Sequence, residues 1–210
     1  MKLYSMKQAP NPRRARMFLA EKGIDVPMVE VDIVAGDNFK PDYLAINPRG
    51  VVPTLVLDDG TVIDESIAIC RYFEELHPEP NLMGRDAKEK AQIESWQRHM
   101  EFDGLFSIAL VFRNVIPRFA GRAQPGTIGR SAQLPHLVER GTLMTKRFMA
   151  SLEQRLADHD FIAGDRFTIA DITGFCALEM AKWVKLFPGE DHPNILRWHG
   201  QIAQRSSTQA

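Results

Sequence analysis

Three stretches of this chain bring together residue types able to handle a charged small molecule. Glu65-Ser66 stands directly ahead of a helical run to Leu76, which His77-Pro78 stops. A helix N-terminus presents unpaired N–H groups and partial positive charge, which suit a carboxylate. Ser66 adds a hydroxyl, and the charge on Glu65 suits an ammonium group, so the pair matches an α-amino acid head group. The same two residues also work as plain structure, Ser66 as an N-cap and Glu65 as an acid beside the helix dipole. The second stretch is Val52-Pro53. Pro53 has no N–H to give a sheet, and a cis bond there would turn the chain and leave the preceding backbone open to a ligand. The third is Ala9-Pro10-Asn11-Pro12. Asn11 followed by Pro12 reads as a helix start, with Asn at the N-cap and Pro at the first helical position. Its side-chain oxygen can cap while its NH2 donates elsewhere.

These stretches need a scaffold. Residues 2–5 read as a short strand, and residues 12–22 as a helix with Ala15, Phe18 and Leu19 on one face, stopped by Gly23. Residues 28–33 alternate as a second strand, and 43–46 read as a short helix. Residues 54–57 and 61–63 form a hairpin around Asp58-Asp59-Gly60. The order is βαβαββα over residues 1–80. After Pro78-Glu79-Pro80 no strand pattern returns, and residues 86–210 read as an all-α domain. Its first helical run is 87–119, with Trp96, Met100, Phe102, Phe106 and Leu110 marking apolar faces. A loop follows over 120–130, then a helix ending near Asp158 with Phe148, Leu152 and Leu156 on one stripe. Thr168 and Asp171 form a capping box, with Phe167 and Ile172 as the hydrophobic staple. A last helix covers 194–203, and the polar tail 205–210 is expected to fray.

Composition narrows the function. Of 210 residues, 44% are apolar and 25% charged, and the net charge is −1. That balance is ordinary for a globular protein and carries no basic run for nucleic acid. No stretch reaches the ~20 apolar residues of a membrane span, and the start has no signal-peptide pattern. The only cysteines, Cys70 and Cys176, sit in apolar helical contexts and read as buried thiols of a reduced, cytoplasmic protein. The six histidines share no ligand spacing, so no metal site is expected.

The pattern Asn-Pro-Arg-Gly-Val-Val-Pro-Thr-Leu at 47–55, followed by Asp-Gly-Thr-Val-Ile-Asp-Glu-Ser at 59–66, resembles the glutathione-binding domain of glutathione transferases. The Phe167–Ile172 segment resembles a hallmark of that family's helical domain. The resemblance implies an α/β thioredoxin-like N-terminal domain followed by a helical one, glutathione as co-substrate, an electrophilic small molecule as partner, and a homodimer. By the same resemblance, Val52 before Pro53 pairs its backbone with the cysteinyl part of glutathione, and Glu65 and Ser66 hold the γ-glutamyl end. Asn38 and Lys40 stand where relatives hold the glycyl carboxylate. Phe102, Phe106 and Arg113 are placed along the electrophile site.

Activating the thiol is the open point. A free thiol has a pKa near 8.5, and lowering it about two units needs about 2.7 kcal/mol. One or two hydrogen bonds to the anion supply that. Many relatives use a Tyr at the end of the first strand, where this chain has Ser5, or a Ser or Cys further on, where it has Ala9. Asn11 is the first candidate, as in Nu-like bacterial members, and Ser5 the second. The expected reaction is addition of glutathione to an electrophile, a detoxification chemistry. A disulfide reductase without a protein thiol and a non-catalytic glutathione-binding protein are the alternatives.

Overall fold

The computed structural model describes residues 1–126 and 129–210. Thr127 and Ile128, which fall in the expected 120–130 loop, lie outside the described residues. The first half holds β1 (Lys2–Ser5), α1 (Pro10–Glu21), β2 (Met28–Glu30), α2 (Pro41–Leu44), β3 (Thr54–Val56), β4 (Val62–Asp64) and α3 (Ser66–Leu76). The second holds α4 (Ala87–His99), α5 (Phe106–Val115), α6 (Pro135–Ala157), α7 (Ile169–Lys182) and α8 (Pro193–Ala203). The βαβαββα order expected from the sequence is present, followed by a helical domain.

The sheet order is β2-β1-β3-β4. β1 pairs parallel with β2 and antiparallel with β3, and β3 pairs antiparallel with β4. The period-2 pleat of β1 buries Leu3 and Ser5 on the face toward α1 and α3. Tyr4 leans the other way, onto Tyr43 of α2 at 5.9 Å between ring centroids. β2 is shorter than expected: its ladder stops at Glu30, although Val31 still donates its N–H to the Ser5 carbonyl at 2.8 Å.

Helix α1 is buried around most of its circumference, because it packs on α3 within its own domain and on α7 of the helical one. One apolar core therefore runs from Leu3 and Leu55 through Phe18 and Ile69 to Ile172 and Trp198. Both cysteines lie in it, fully buried. Burial pushes the Cys176 thiol up to about 11 and raises Cys70 further, so neither is a nucleophile.

The polar tail is docked, contrary to the frayed end expected. Arg205 makes a bidentate ion pair with Glu21 of α1, at 2.8 and 2.6 Å, and Ser207 donates to the same carboxylate at 2.5 Å. Arg13 donates to the Thr208 carbonyl at 2.9 Å. Those partners lie nearly the whole chain away, which a local reading of polarity misses. The connection after α3 is pinned as well. The Glu74 carboxylate accepts the Leu82 and Met83 N–H groups and pairs with Lys22, which also donates to the His77 and Pro80 carbonyls.

The capping box at α7 extends into a buried network. Asp171 is 0% exposed. Its carboxylate accepts from the Thr168 N–H and hydroxyl, the Ile162 N–H and the Trp198 indole, at 2.9 to 3.1 Å. It thereby ties the start of α7 to the preceding loop and to α8. Removing it strands buried donors at about 1–3 kcal/mol each. Asp171→Ala is therefore expected to lose about 4 kcal/mol in urea unfolding. A loss below about 1 kcal/mol would show that water replaces the carboxylate and that the network is not a folding constraint.

Candidate functional site

A cleft of about 1400 Å³ separates the two domains. Its floor is the loop between β1 and α1. One wall is the Gly50–Val52 corner and the start of α3. The other is the face of the α4–α5 run together with Trp183 at the end of α7.

The floor is held by Arg16, which is buried in α1. Its guanidinium donates to the Ser5 hydroxyl at 2.8 Å, the Met6 carbonyl at 3.1 Å and the Lys7 carbonyl at 2.6 Å. Burial holds its pKa below the usual guanidinium value. Ser5 is thus committed to the core. It is 2% exposed, it does not reach the cleft, and its hydroxyl already serves Arg16.

Helix α1 begins two residues earlier than expected, at Pro10 rather than Pro12. Ala9 is the N-cap, and Asn11 stands inside the first turn rather than at the cap. The two flanking prolines have no N–H, and Arg13 donates its own to Ala9. Among the described residues the Asn11 N–H is the one unpaired backbone donor of that turn. Asn11 is exposed and lines the cleft. It presents a backbone N–H and a side-chain amide there, at the positive end of α1.

The Val52–Pro53 bond is cis. The corner is braced from behind: the Val51 carbonyl accepts the Tyr43 hydroxyl at 2.5 Å and the Asn47 amide at 3.2 Å, and Asn47 also donates to Thr54 at 2.8 Å. Val52 lines the cleft, and no backbone hydrogen bond engages it among the described residues. Pro53 is buried behind it.

At α3 the cap is Glu65, and Ser66 is the first helical residue. Glu65 has φ 74°, a conformation that side-chain-bearing residues rarely adopt. Its carboxylate lines the cleft and pairs with Arg49 at 2.8 Å, and Arg49 also binds Asp64 at 2.8 Å. Ser66 is 1% exposed and donates its hydroxyl to the Asn11 carbonyl at 2.8 Å. This bond locks the starts of α1 and α3 together. At the cleft α3 shows its cap Glu65 and then Ile67, Ala68 and Arg71.

The remaining expected residues divide. Asn38 lies in the cleft wall, donates its amide to the Gly50 carbonyl at 2.7 Å, and keeps a buried carbonyl oxygen without a partner. Lys40 is exposed, pairs with Asp37 at 2.6 Å and stands outside the cleft. Phe102 and Phe106 are 61% and 54% exposed and face the cleft, so the apolar stripe they mark is not packed as core. The cause is a π-helical segment, Met100–Leu105, between α4 and α5, whose wider turn shifts the helix register. Arg113 lies on the same wall, its guanidinium 4.8 Å over the Phe119 ring, and burial lowers its pKa to about 10. Sequence reading missed Gln8, Arg49, Arg122 and Trp183. Only Arg49 carried a signal, its place next to the Val-Val-Pro corner. Among the described residues no cluster of three metal-ligating side chains occurs, and no helix is long and apolar enough to cross a membrane.

Comparison with known proteins gives this cleft a family. Residues 9–76 match the glutathione S-transferase N-terminal domain, and residues 133–206 the C-terminal domain. The chain is 32% identical to glutathione S-transferase 2 of Saccharomyces cerevisiae over 212 aligned positions, covering 99% of this chain and 87% of that one. The solved structure of a glutathione S-transferase domain-containing protein from Marinobacter aquaeolei superposes with a TM-score of 0.91 at 33% identity, covering 99% of this chain and 100% of that one. Gtt2 of Saccharomyces cerevisiae gives 0.90 at 31% identity, covering 100% and 99%. With its two domains and the cleft between them, the chain belongs to the glutathione S-transferase family and is a transferase.

Proposed function

We propose that the protein binds glutathione along the Val52–Glu65 wall, ionises its thiol beside Asn11, and adds the thiolate to an electrophilic small molecule. One observation carries the reading: an unbonded backbone at Val52, the start of α3 at Glu65 and Ile67, and a donor pair at Asn11 all border the same cleft. A peptide laid on that wall pairs its backbone with Val52. Its γ-glutamyl carboxylate meets the free N–H groups of α3, and its ammonium meets Glu65. Asn38 stands toward the glycyl end. Lys40 reaches that end only by leaving Asp37. The electrophile lies against Phe102, Phe106 and Arg113. A homodimer acting in the cytoplasm belongs to the same reading, the dimer resting on the family resemblance and the compartment on the two buried, unpaired cysteines.

The chemistry asked of Asn11 is modest. A thiolate held by one or two donors at the start of α1 gains roughly the 2.7 kcal/mol that moves a thiol pKa from about 8.5 to about 6.5. The sulfur–carbon bond then forms without a covalent enzyme intermediate, and the thiol proton leaves to solvent. Binding both reactants in one cleft supplies the proximity.

Two measurements test this. Asn11→Ala is expected to leave the KM for glutathione near its parent value. It should lower kcat about fivefold at pH 6.5 and move the thiol ionisation seen in the pH–rate profile up by about one unit. The sign follows from the donor: it favours the anion, so its loss raises the thiol pKa. An unshifted profile assigns the activation to another group. Glu65→Gly separates function from backbone strain. Glycine accepts the positive φ that costs a glutamate about 1–3 kcal/mol, so folding stability should stay within about 1 kcal/mol of the parent or rise. Glutathione affinity by calorimetry should fall at least about tenfold, the worth of one charge-assisted hydrogen bond. Unchanged affinity would remove Glu65 from the site.

A further inference from the structure

The cleft wall carries six arginines and three glutamates. Each glutamate is already paired: Glu65 with Arg49, Glu94 with Arg98 and Arg71, and Glu101 with Arg14 and Arg98. Arg113, Arg118 and Arg122 are left over, and no carboxylate pairs with any of them among the described residues. The chain as a whole has a net charge of −1, so this surplus is local.

The three are gathered at one end of the cleft by the turn that leaves α5. Arg113 is in the last turn of the helix, Arg118 in a 3-10 turn over Pro117–Phe119, and Arg122 just beyond. Arg113 donates to the Arg122 carbonyl at 3.0 Å, and the Arg122 charge adds to the burial that disfavours the Arg113 cation. Packing like charges together in a half-buried wall costs free energy unless an anion joins them. The surrounding surface is aromatic. Phe112 packs on Phe119 at 5.1 Å and on Trp183 at 5.3 Å between centroids. Arg122 lies 6.0 Å over Phe39 of the facing domain. Just past Arg122 the loop closes on that domain, where a Cβ at Gly126 would stand 2.6 Å from the Arg49 carbonyl.

From this geometry we infer that the electrophile site takes an aryl anion, its carboxylate or sulfonate held by Arg113 and Arg122 and its ring laid against Phe112, Phe119 and Trp183. The inference names the substrate class of the transferase reading above and rests on it. Guanidinium groups suit such oxyanions because their planar N–H fork matches two oxygens at once. A neutral aryl electrophile gains the aromatic wall and leaves the cations unpaired. Glutathione offers the other carboxylate within this cleft, at its glycyl end, since Arg122 approaches the Asn38–Phe39 turn.

Two nearly isosteric electrophiles decide between these sources: 4-chloro-3-nitrobenzoate and its neutral benzamide. With either, the thiolate sulfur bonds the ring carbon as the carbon–chlorine bond breaks, chloride leaves with the bonding pair, and the thiol proton passes to solvent. Arg122→Gln carries the test, because Arg113 also holds the loop through the Arg122 carbonyl. The variant is expected to lower the benzoate-to-benzamide ratio of kcat/KM about tenfold, with a parent-like melting temperature and an unchanged KM for glutathione. An unchanged ratio overturns the inference. A rise in the KM for glutathione with an unchanged ratio assigns Arg122 to the glycyl carboxylate instead. Calorimetry with 4-nitrobenzoate and 4-nitrobenzamide, without glutathione, gives a readout independent of turnover. Preferred binding of the benzoate, lost in Arg122→Gln, supports the anion site even where neither electrophile is turned over, an outcome that would fail the transferase reading alone. Equal binding of the two overturns the anion site while leaving the transferase reading intact.

Discussion

The cleft is built outward from three arginines of α1. Arg16 points back under its own helix and fixes the loop after β1 by a hydroxyl and two carbonyls. Arg14, 3% exposed, crosses to Glu101 at 2.7 Å and fixes the opposite wall. Arg13 reaches the Thr208 carbonyl and fixes the chain end. A buried guanidinium is costly unless it is paired or hydrogen-bonded, and the buried Arg14 and Arg16 and the half-buried Arg13 find their partners on different parts of the molecule. The helix can therefore be shared by both domains without an apolar face on every side. Its burial is the constraint that sets the distance between the walls.

Within that frame the two ends of the cleft are made differently. The Val52–Glu65 end uses backbone. Its donors and acceptors are main-chain groups left over at a corner and at two helix starts, and the neighbouring side chains Tyr43, Asn47 and Ser66 brace from behind. Backbone groups fixed at a braced corner and at helix starts move little, and a ligand that matches them is read by shape as well as charge. The α5 end uses side chains on a turn: Arg113, Phe119 and Arg122. Such a surface is set by residue identity, so a few substitutions change what it accepts without touching the first end.

How far the sequence discloses this depends on the range of each interaction. The hairpin at Gly60, the cis corner at Val52-Pro53, the helix from Ser66 and the Thr168–Asp171 box all rest on neighbours within a few positions. Each is legible for that reason. The reach of Asp171 to Ile162 and Trp198 is not, because those donors come from other elements. The docking of Ser207 on Glu21 and the fate of Ser5 are hidden in the same way. Both depend on an arginine or glutamate whose partner is named only by the tertiary fold. The expected Asn11 cap is displaced two residues to Ala9, because Pro10 is as good a helix opener as Pro12.

The α4–α5 wall shows how a helical apolar stripe can face a cleft rather than the core. Over a regular α-helix each residue turns 100°, and apolar residues at i and i+4 share a face that normally meets the core. Phe102 and Phe106 have that spacing. The π segment over Met100–Leu105 inserts its extra residue between the turns that carry Glu101 and Phe106, so the register on either side differs by about one residue, about 100° of rotation. Met100, Leu105 and Ile108 take the core positions, and Gly104 lets Phe148 close on the backbone, where a Cβ would stand 2.7 Å from its ring. The displaced face carries Phe102, Phe106 and Arg113 into the cleft, and Glu101 onto Arg14. The widened turn therefore sets an apolar helical stripe against the cleft.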